Sequence, residues 1–370
     1  MPFAFGCLHT NKGLKLKILT ILGARPQLIK AAPVSISFAK KEIEELILHT
    51  GQHYDKRMSD VFLKELGLPM PYKNLGISGG THGEMTSRML IRIEEELIDK
   101  KPDLALVYGD TNSTLAGALA AAKLNIPVAH VEAGLRSYNS KMPEEINRIL
   151  VDRVSSLLFC PTQVAVDNLK SEGIVDGVSN VGDVMLDAAL LMSKRAENSS
   201  FITERLGLDS QSYVLATIHR AENTDSIPRL SNILSALSEL SNEKTVVFPI
   251  HPRTTKVIKE HKLEHFLSGV TVIEPVSYLE MLKLQSNAYA IVTDSGGMQK
   301  EAYFHKTPCF TLRDETEWVE TVDSGWNSLF SPACNIDSKQ IIKKAQHLPS
   351  KWEGFYGDGS ASEKIARVLA

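Results

Sequence analysis

Cysteine is scarce in this chain of 370 residues, and the four that occur lie far apart. They form no Cys-x-x-Cys pair, so the spacing argues against a disulfide framework and against a structural zinc site. This usage is typical of proteins in a reducing compartment, and we expect a cytoplasmic location. The cysteines are Cys7, Cys160, Cys309 and Cys334.

Long apolar runs and an excess of one charge are also missing. The best apolar stretch, 115–129, is interrupted by Lys123 and Asn125, which argues against a transmembrane helix. Lys and Arg number 41 and Asp and Glu 44, so no basic surface for nucleic acid is predicted. The apolar start precedes its lysines, the wrong order for a signal peptide. We therefore expect neither membrane nor nucleic acid as a partner, and a loose extension over 1–14.

What the chain does contain is a regular alternation of short β-branched runs and helical patterns. This alternation predicts an α/β fold with parallel sheets, and the length predicts two domains. A polar, poorly patterned stretch over 194–212 is interpreted as the linker. The predicted domains are 15–195 and 210–357. The predicted strands are 15–22, 45–50, 104–108, 127–132, 157–160, 180–183, 213–218, 245–250, 270–273, 289–293 and 308–312.

Polar residues and glycines follow most of these strands. In open α/β sheets, ligands bind at the carboxyl ends of strands, and with two domains the cleft between them is the expected site. Asp110, Glu132, Glu144 and His219 are the candidate acid–base groups. The alternative for Glu144, which opens a helix beside Pro143, is a favourable charge at a helix N-terminus.

A candidate anion site lies at Ser295-Gly296-Gly297, between a strand and a helix. Glycines let backbone N–H groups approach a phosphate, and the helix N-terminus favours negative charge. The alternative is an ordinary serine N-cap. Glu301 could accept the hydroxyls of a ribose or could be a solvated helix residue. Arg25 could bridge phosphate oxygens or form a salt bridge between domains.

Two common nucleotide motifs are absent. No Gly-x-Gly-x-x-Gly follows the first strand and no Gly-x-x-x-x-Gly-Lys occurs, which argues against a Rossmann dehydrogenase and a P-loop enzyme. The glycine-rich segment 76–83 precedes a helix, but no predicted strand leads into it, so we interpret it as a mobile loop. His49 and His53 straddle a strand end, and we expect no zinc site there.

Several long motifs resemble those of the non-hydrolysing UDP-N-acetylglucosamine 2-epimerase family, and the resemblance runs from about Leu16 to Gly359. It implies two Rossmann-like domains facing each other across a cleft, as in B-type glycosyltransferases, with a C-terminal helix (358–370) that joins the first domain. It also implies a cytoplasmic homodimer and no metal or redox cofactor. The motifs are residues 23–27, 109–111, 130–136, 143–148 and 293–297.

The family reaction eliminates UDP across C1 and C2 of the sugar and adds it back after the C2 proton returns to the other face. By resemblance, Asp110, Glu132 and Glu144 supply the acid–base groups, with His219 close to the leaving phosphate. The carboxylate that removes the C2 proton is left open. The residues implied to hold the UDP-sugar are Arg25, Lys30, Arg148, Ser295, Gly296, Gly297, Glu301 and Arg313. Gln52 and His53 are implied, by analogy only, to form a regulatory site.

The chain departs from the commonest family pattern at six positions, where the family usually has threonine, glutamate, glycine, arginine, arginine and proline: Ala24, Gln27, Ile218, Ala221, Trp318 and Val319. With 181–185, these departures resemble the branch that acts on UDP-2,3-diacetamido-2,3-dideoxyglucuronate for surface polysaccharide synthesis. Plain UDP-N-acetylglucosamine stays open as the substrate. The competing hypotheses are a hydrolysing 2-epimerase, a UDP-sugar glycosyltransferase of the same fold and a non-catalytic nucleotide-sugar binding protein.

Overall fold

The computed structural model describes residues 15–52 and 63–370. The chain divides into two compact units, one made of 1–188 and 355–370 and the other of 189–354. The predicted extension 1–14 lies outside the described residues, as does His53. Each unit contains one parallel sheet covered by helices, which confirms the α/β fold class.

The first unit is built on a seven-stranded sheet in the order β3-β2-β1-β4-β5-β6-β7. The central strands, such as Leu-Ala-Leu-Val-Tyr at 104–108, are buried along their whole length, as expected for parallel strands covered on both faces. The strands are β1 (Lys17–Leu22), β2 (Glu44–His49), β3 (Lys73–Asn74), β4 (Leu104–Tyr108), β5 (Val128–Val131), β6 (Leu157–Cys160) and β7 (Val178–Asn180). The helices are α1 (Arg25–Lys40), α2 (His82–Lys100), α3 (Asn112–Lys123), α4 (Pro143–Val154), α5 (Gln163–Ser171) and α6 (Val184–Ser199), which continues into the second unit.

The second unit has a six-stranded sheet in the order β10-β9-β8-β11-β12-β13. The strands are β8 (Tyr213–Thr217), β9 (Thr245–Pro249), β10 (Val270–Ile273), β11 (Ala290–Thr293), β12 (Cys309–Thr311) and β13 (Asn327–Leu329). The helices are α7 (Ile202–Arg205), α8 (Ala221–Thr224), α9 (Ile227–Leu240), α10 (Pro252–Glu260), α11 (Tyr278–Asn287), α12 (Gly296–Phe304), α13 (Val319–Asp323) and α14 (Ser338–Gln346).

The last helix, α15 (Ala361–Leu369), belongs to the first unit and packs against α1. The Asp187 carboxylate accepts hydrogen bonds from the N–H groups of Ala361 and Ser362, at 3.1 and 2.8 Å. The N-terminus of α15 is thereby capped by a side chain from α6.

Several elements differ from the sequence interpretation. The stretch 194–212, interpreted as the linker, contains the end of α6 and all of α7. The predicted strand at 180–183 is β7, which ends at Asn180. The short edge strands β3 and β13 were not predicted, since two or three residues carry too little pattern.

The strand β3 leads into the glycine-rich segment 76–83. The Arg88 guanidinium binds the carbonyl oxygens of Ser78 and Gly79 in this segment, at 3.3 and 2.6 Å.

Candidate active site

Glu132, at the carboxyl end of β5, and Lys30, on helix α1, form a nearly buried ion pair. Their side chains are 8% and 11% exposed. Glu132 has φ of +73°, a left-handed conformation that costs free energy for a residue other than glycine. Such strain is retained mainly where the surrounding structure aims a side chain for function. The Lys30 ammonium also lies beside Gly109, 3.4 Å from where a Cβ would stand.

Asp110 follows β4, the neighbour of β5, and is held by Arg148 of α4. The Arg148 guanidinium binds the Asp110 carboxylate at 2.5 Å and the Glu145 carboxylate at 2.6 Å. The Asp110 side chain is 27% exposed, so a ligand can reach it. α3 begins directly after it because Thr111 is its N-cap, with the hydroxyl accepting from the Thr114 N–H at 3.3 Å.

The two glutamates that open α4 have different environments. Glu144 is exposed, whereas the Glu145 carboxylate is buried and accepts hydrogen bonds from the N–H groups of Ser137 and Tyr138. Burial raises the pKa of Glu145, but these donors and Arg148 outweigh it and hold the pKa below its ordinary value. The structure therefore gives Glu145 a role in fixing Arg148, which the sequence analysis missed. Its spacing of three residues from Arg148 on a helix was the available signal.

Gln27 connects the ends of β1 and β4. Its amide oxygen accepts from the N–H groups of Gly23 and Ala24, at 2.8 and 3.0 Å, and its amide nitrogen donates to the Tyr108 carbonyl at 2.7 Å. The side chain is 2% exposed. Gln27 therefore serves the fold, and the lack of a carboxylate at this position carries no argument about the substrate.

The groups implied to bind phosphate or a regulator in this unit are placed as follows. Arg25 is exposed in the first turn of α1. The Gln52 amide oxygen accepts from the hydroxyl and the N–H of Ser113, at 2.7 and 3.2 Å, in the first turn of α3. His53, the second member of the regulatory pair, lies outside the described residues.

In the second unit, the buried Asp294 carboxylate organises the loop after β8. It accepts from the N–H groups of His219 and Arg220, at 3.1 and 3.0 Å, and from the Asn223 amide at 3.2 Å. The His219 side chain is 42% exposed, and its ring lies 5.9 Å from that of His251 at the end of β9. Burial and the neighbouring His219 and Arg253 lower the pKa of His251. The role of Asp294 as organiser was missed, because its sequence context matches an ordinary N-cap.

The predicted anion site opens α12. Ser295 caps this helix, with its hydroxyl accepting from the Met298 N–H at 3.5 Å, so the ordinary N-cap role left open by the sequence is filled. A Cβ on Gly296 would lie 2.6 Å from Glu317 Oε1, whereas one on Gly297 would meet nothing within 4 Å. A side chain at position 296 would therefore require the Glu317 carboxylate to shift.

Arg313 and Glu317 lie beside this glycine. The Arg313 guanidinium binds the Glu317 carboxylate at 2.9 Å, and its side chain is 7% exposed. Burial raises the pKa of Glu317, but Arg313, Arg220 and the backbone N–H of Glu317 hold it below its ordinary value. An anionic Glu317 next to the start of α12 was not predicted from the sequence.

Glu301 lies on the buried face of α12. Its carboxylate accepts from the Gln285 amide at 2.8 Å and from the Tyr278 hydroxyl at 3.3 Å, both on α11. The side chain is therefore fixed, which excludes the alternative of a solvated helix residue.

The structure thus groups the predicted residues within each unit. In the first unit, it brings together Lys30, Asp110, Glu132 and Arg148. In the second unit, it places His219 on the loop that Asp294 holds, and it places Arg313 beside Gly296. Within 15–52 and 63–370, no group of three His, Cys, Asp or Glu side chains could hold a metal ion. No helix of that part is long and apolar enough to cross a membrane.

Comparison with known proteins identifies relatives over nearly the whole chain. Residues 37–370 match the family model described as UDP-N-acetylglucosamine 2-epimerase. A UDP-2,3-diacetamido-2,3-dideoxy-D-glucuronate 2-epimerase of Pseudomonas aeruginosa is 52% identical over 96% of this chain and 99% of its own length. A UDP-N-acetylglucosamine 2-epimerase homolog of Methanococcus maripaludis is also 52% identical, with the same coverage.

Solved structures agree as well. The crystal structure of Methanocaldococcus jannaschii UDP-GlcNAc 2-epimerase in complex with UDP-GlcNAc and UDP has a TM-score of 0.84 and 45% identity, and covers 96% of this chain and 99% of that one. The resemblance derived from the motifs is confirmed over nearly the whole sequence. The chain belongs to the UDP-N-acetylglucosamine 2-epimerase family.

Proposed function

We propose that this protein is a non-hydrolysing 2-epimerase of a UDP-linked N-acetylated sugar. The observation that carries the proposal is the pair of carboxylate–cation contacts, Asp110 with Arg148 and Glu132 with Lys30, at the ends of the adjacent strands β4 and β5. Proton transfer at C2 needs an acid and a base held in fixed positions, and this arrangement provides two such carboxylates.

The C2 hydrogen of an acetamido sugar has no adjacent carbonyl to acidify it, so elimination must drive its loss. A carboxylate takes the C2 proton, the C–H electron pair forms the C1–C2 double bond, and the C1–O bond breaks with its electron pair leaving on UDP. Return of a proton to the opposite face of C2 and re-addition of UDP to C1 gives the manno epimer. Asp110, Glu132 and Glu144 are the groups proposed for these transfers.

The second unit supplies the groups proposed to bind the nucleotide. The N–H groups at the start of α12, with Ser295, Gly296 and Gly297, suit a diphosphate because the helix N-terminus favours negative charge. Arg313 adds positive charge in this unit, and Arg25 adds it from the first unit. His219 is proposed to lie close to the leaving phosphate. Glu301 has the carboxylate oxygens that a ribose diol needs. Fixed donors of this kind stabilise the charge that develops on UDP as it leaves.

Within this class we propose UDP-2,3-diacetamido-2,3-dideoxyglucuronate as the substrate, with UDP-N-acetylglucosamine as the second candidate. Support comes from the 52% identity to the Pseudomonas aeruginosa enzyme and from the departures at Ala221 and Trp318. Trp318 is 6% exposed and the Lys300 ammonium lies 4.1 Å from its ring centroid. This cation–π contact fixes the ring of the residue that directly follows Glu317.

Proton NMR of the purified protein in D2O tests the proposal with each sugar nucleotide in turn. Deuterium at C2, a new manno anomeric signal and UDP still attached are expected. Exchange with the uronate alone would fix the substrate, and exchange with UDP-N-acetylglucosamine would favour the second candidate. Release of UDP with a free mannosamine derivative would mean hydrolysis, and transfer to an added acceptor without exchange would mean a glycosyltransferase. UDP binding without exchange or turnover would indicate a binding protein.

We further propose that the protein acts as a homodimer in the cytoplasm, on a precursor of surface polysaccharide. Apolar side chains are exposed on α2, where Ile91 and Ile98 are 55% and 57% accessible, and on α4, where Ile146 and Leu150 are 48% and 44% accessible. α3 packs against both helices, and a second copy would cover these side chains. Light scattering is expected to give twice the 40.8 kDa chain mass. The double variant I98E/I146E should lower the measured mass towards that of one chain.

A further inference from the structure

Beneath Asp110 and Glu132 lies a second ionic cluster, which the proposed mechanism does not use. It consists of His130 on β5, Asp152 on α4 and Arg136 in the loop between them. The side chains of His130 and Asp152 are 0% exposed and that of Arg136 is 1% exposed. Charged groups so deeply buried are costly unless each is paired and hydrogen-bonded.

Both ring nitrogens of His130 face acceptors. Nε2 lies 2.7 Å from the Gly109 carbonyl oxygen, and Nδ1 lies 2.7 Å from Asp152 Oδ1. A carbonyl oxygen can only accept, so Nε2 must carry a hydrogen. The charge of His130 therefore depends on the state of Asp152.

Asp152 is held as a carboxylate. Its Oδ2 accepts from the Arg136 guanidinium at 2.7 Å and from the Gly134 N–H at 3.1 Å. Both donors to Oδ2, a guanidinium and a backbone N–H, favour the ionised form of Asp152. An ionised carboxylate only accepts, so Nδ1 of His130 also donates and the ring is an imidazolium.

The other titratable groups facing the cluster leave this assignment intact. The Glu172 carboxylate binds the far side of Arg136, at 2.6 Å to Nε and 2.9 Å to Nη2. Burial raises the pKa of the Cys160 thiol to about 12, so it stays neutral. Two cations, His130 and Arg136, therefore balance two anions, Asp152 and Glu172.

The cluster connects the three segments that carry the proposed acid–base site. Gly109 directly precedes Asp110, and Gly134 lies in the turn directly after Glu132. Asp152 lies one helical turn after Arg148, the residue that binds Asp110. A neutral histidine could donate to only one of its two acceptors and would turn a lone pair towards the other.

We propose that His130 is a positioning residue for 2-epimerisation, an imidazolium whose two ring N–H groups bind Gly109 and Asp152 and so fix Asp110 and Glu132 relative to each other. This inference rests on the proposed function, since it concerns the geometry of the same two carboxylates. The role is positional because His130 is buried behind the strand ends and touches the Gly109 carbonyl rather than the substrate.

Nitrogen-15 NMR of the imidazole rings tests the charge directly in the wild-type protein. At the pH of the exchange assay, both ring nitrogens of His130 are expected to carry hydrogens, because both face acceptors. His49 is a matched control in the same sheet: burial lowers its pKa to about 4, and its Nδ1 accepts from the Gly51 N–H at 3.0 Å, so it should be neutral. A neutral His130 at that pH would overturn the proposal.

Substitution separates positioning from folding. H130Q keeps one amide donor but no charge, and C2 exchange per UDP-binding site should fall about 100-fold, the scale of a displacement of about 1 Å. The UDP dissociation constant and KM should stay near the wild-type values, because all the proposed nucleotide contacts except Arg25 are in the other unit. H49Q should leave exchange per site unchanged. Counting UDP-binding sites removes the effect of any unfolded fraction.

The failures are distinguishable. Wild-type protein that binds UDP but exchanges neither sugar would overturn the proposed function and this role with it. Active wild-type protein and an H130Q variant with unchanged exchange per site would overturn the positioning role alone. If H130Q does not fold, the NMR result on the wild-type protein still decides the charge.

Discussion

The two units carry their charged residues in opposite ways. In the first unit, carboxylates stand at the strand ends and each is paired with a cation, as in Glu132 with Lys30 and Asp110 with Arg148. In the second unit, the ends of β8 and β11 present backbone N–H groups, glycines and His219, and the buried Asp294 carboxylate holds the loop from behind. The first arrangement suits proton transfer and the second suits an anionic ligand.

The comparison shows that the same fold element can serve two chemistries. Both sheets are parallel and both expose the carboxyl ends of their strands, so the fold alone does not assign a role to either unit. The assignment depends on whether a carboxylate points out of the strand end or supports the loop from beneath. Substitutions that affect proton transfer and UDP binding separately therefore test it.

The largest effect is expected in the first unit. D110N keeps the size of the side chain but removes its basicity, so C2 exchange should fall about 10²- to 10⁴-fold, the usual contribution of a general acid or base. UDP affinity, measured by calorimetry, should remain close to wild type. D99N, which neutralises an exposed carboxylate on α2, is the control. Loss of UDP affinity in step with exchange would make Asp110 structural and would break the division between the units.

In the second unit, G296A is expected to weaken UDP binding, and this loss of affinity should be smaller than the loss of C2 exchange in D110N. The added Cβ would lie 2.6 Å from Glu317 Oε1, so either the carboxylate or the start of α12 must shift. Such overpacking costs about 1–3 kcal/mol. Adding E317A makes room for the methyl group and should restore part of the affinity. An affinity unaffected by G296A would separate α12 from the nucleotide site.

E301A should weaken UDP binding by about 1–3 kcal/mol, the range for losing hydrogen bonds to a charged group. Y278F is the control, because it removes one donor to Glu301 and leaves the carboxylate in place. Since the alanine also leaves Gln285 without this partner, the melting temperature must be measured with the affinity. Unchanged affinity in E301A would remove this residue from the site.

The last effect concerns the stability of the fold rather than activity; it depends on pH and is expected in both units alike. Burial lowers the pKa of His49 in the first unit and of His305 in the second to about 4. The unfolded chain titrates near pH 6.5, so between about pH 6.5 and 4 it binds more protons than the folded chain and stability falls on acidification. The free energy of unfolding therefore falls by at most about 1.4 kcal/mol per pH unit for each histidine.

Urea unfolding across that pH range measures this slope. H49Q and H305Q should each reduce it by a similar amount, because each removes one buried neutral imidazole. A slope that H305Q leaves unchanged would show that this histidine is accessible to protons in the folded state.

The sequence predicted the fold class, the membership of the family and most strands, because buried parallel strands are continuous apolar runs bounded by glycines and polar residues. Leu104–Tyr108, Leu157–Cys160 and Val270–Ile273 match the prediction to the residue. The edge strands β3 and β13 and the helical content of 194–212 were missed, since they are short or poorly patterned.

What the sequence determined by itself is which residue types stand at the strand ends, because strand pattern and chain order place them there. It could not determine which of these side chains face a ligand and which hold the protein together. Glu144 and Glu145 are adjacent and chemically alike, yet one is exposed and the other is buried against Arg148. Asp294 and Gln27 bind backbone N–H groups at strand ends, a role that their sequence context did not indicate. Only the tertiary structure decides this, because the partners of a buried polar group come from segments distant in the chain.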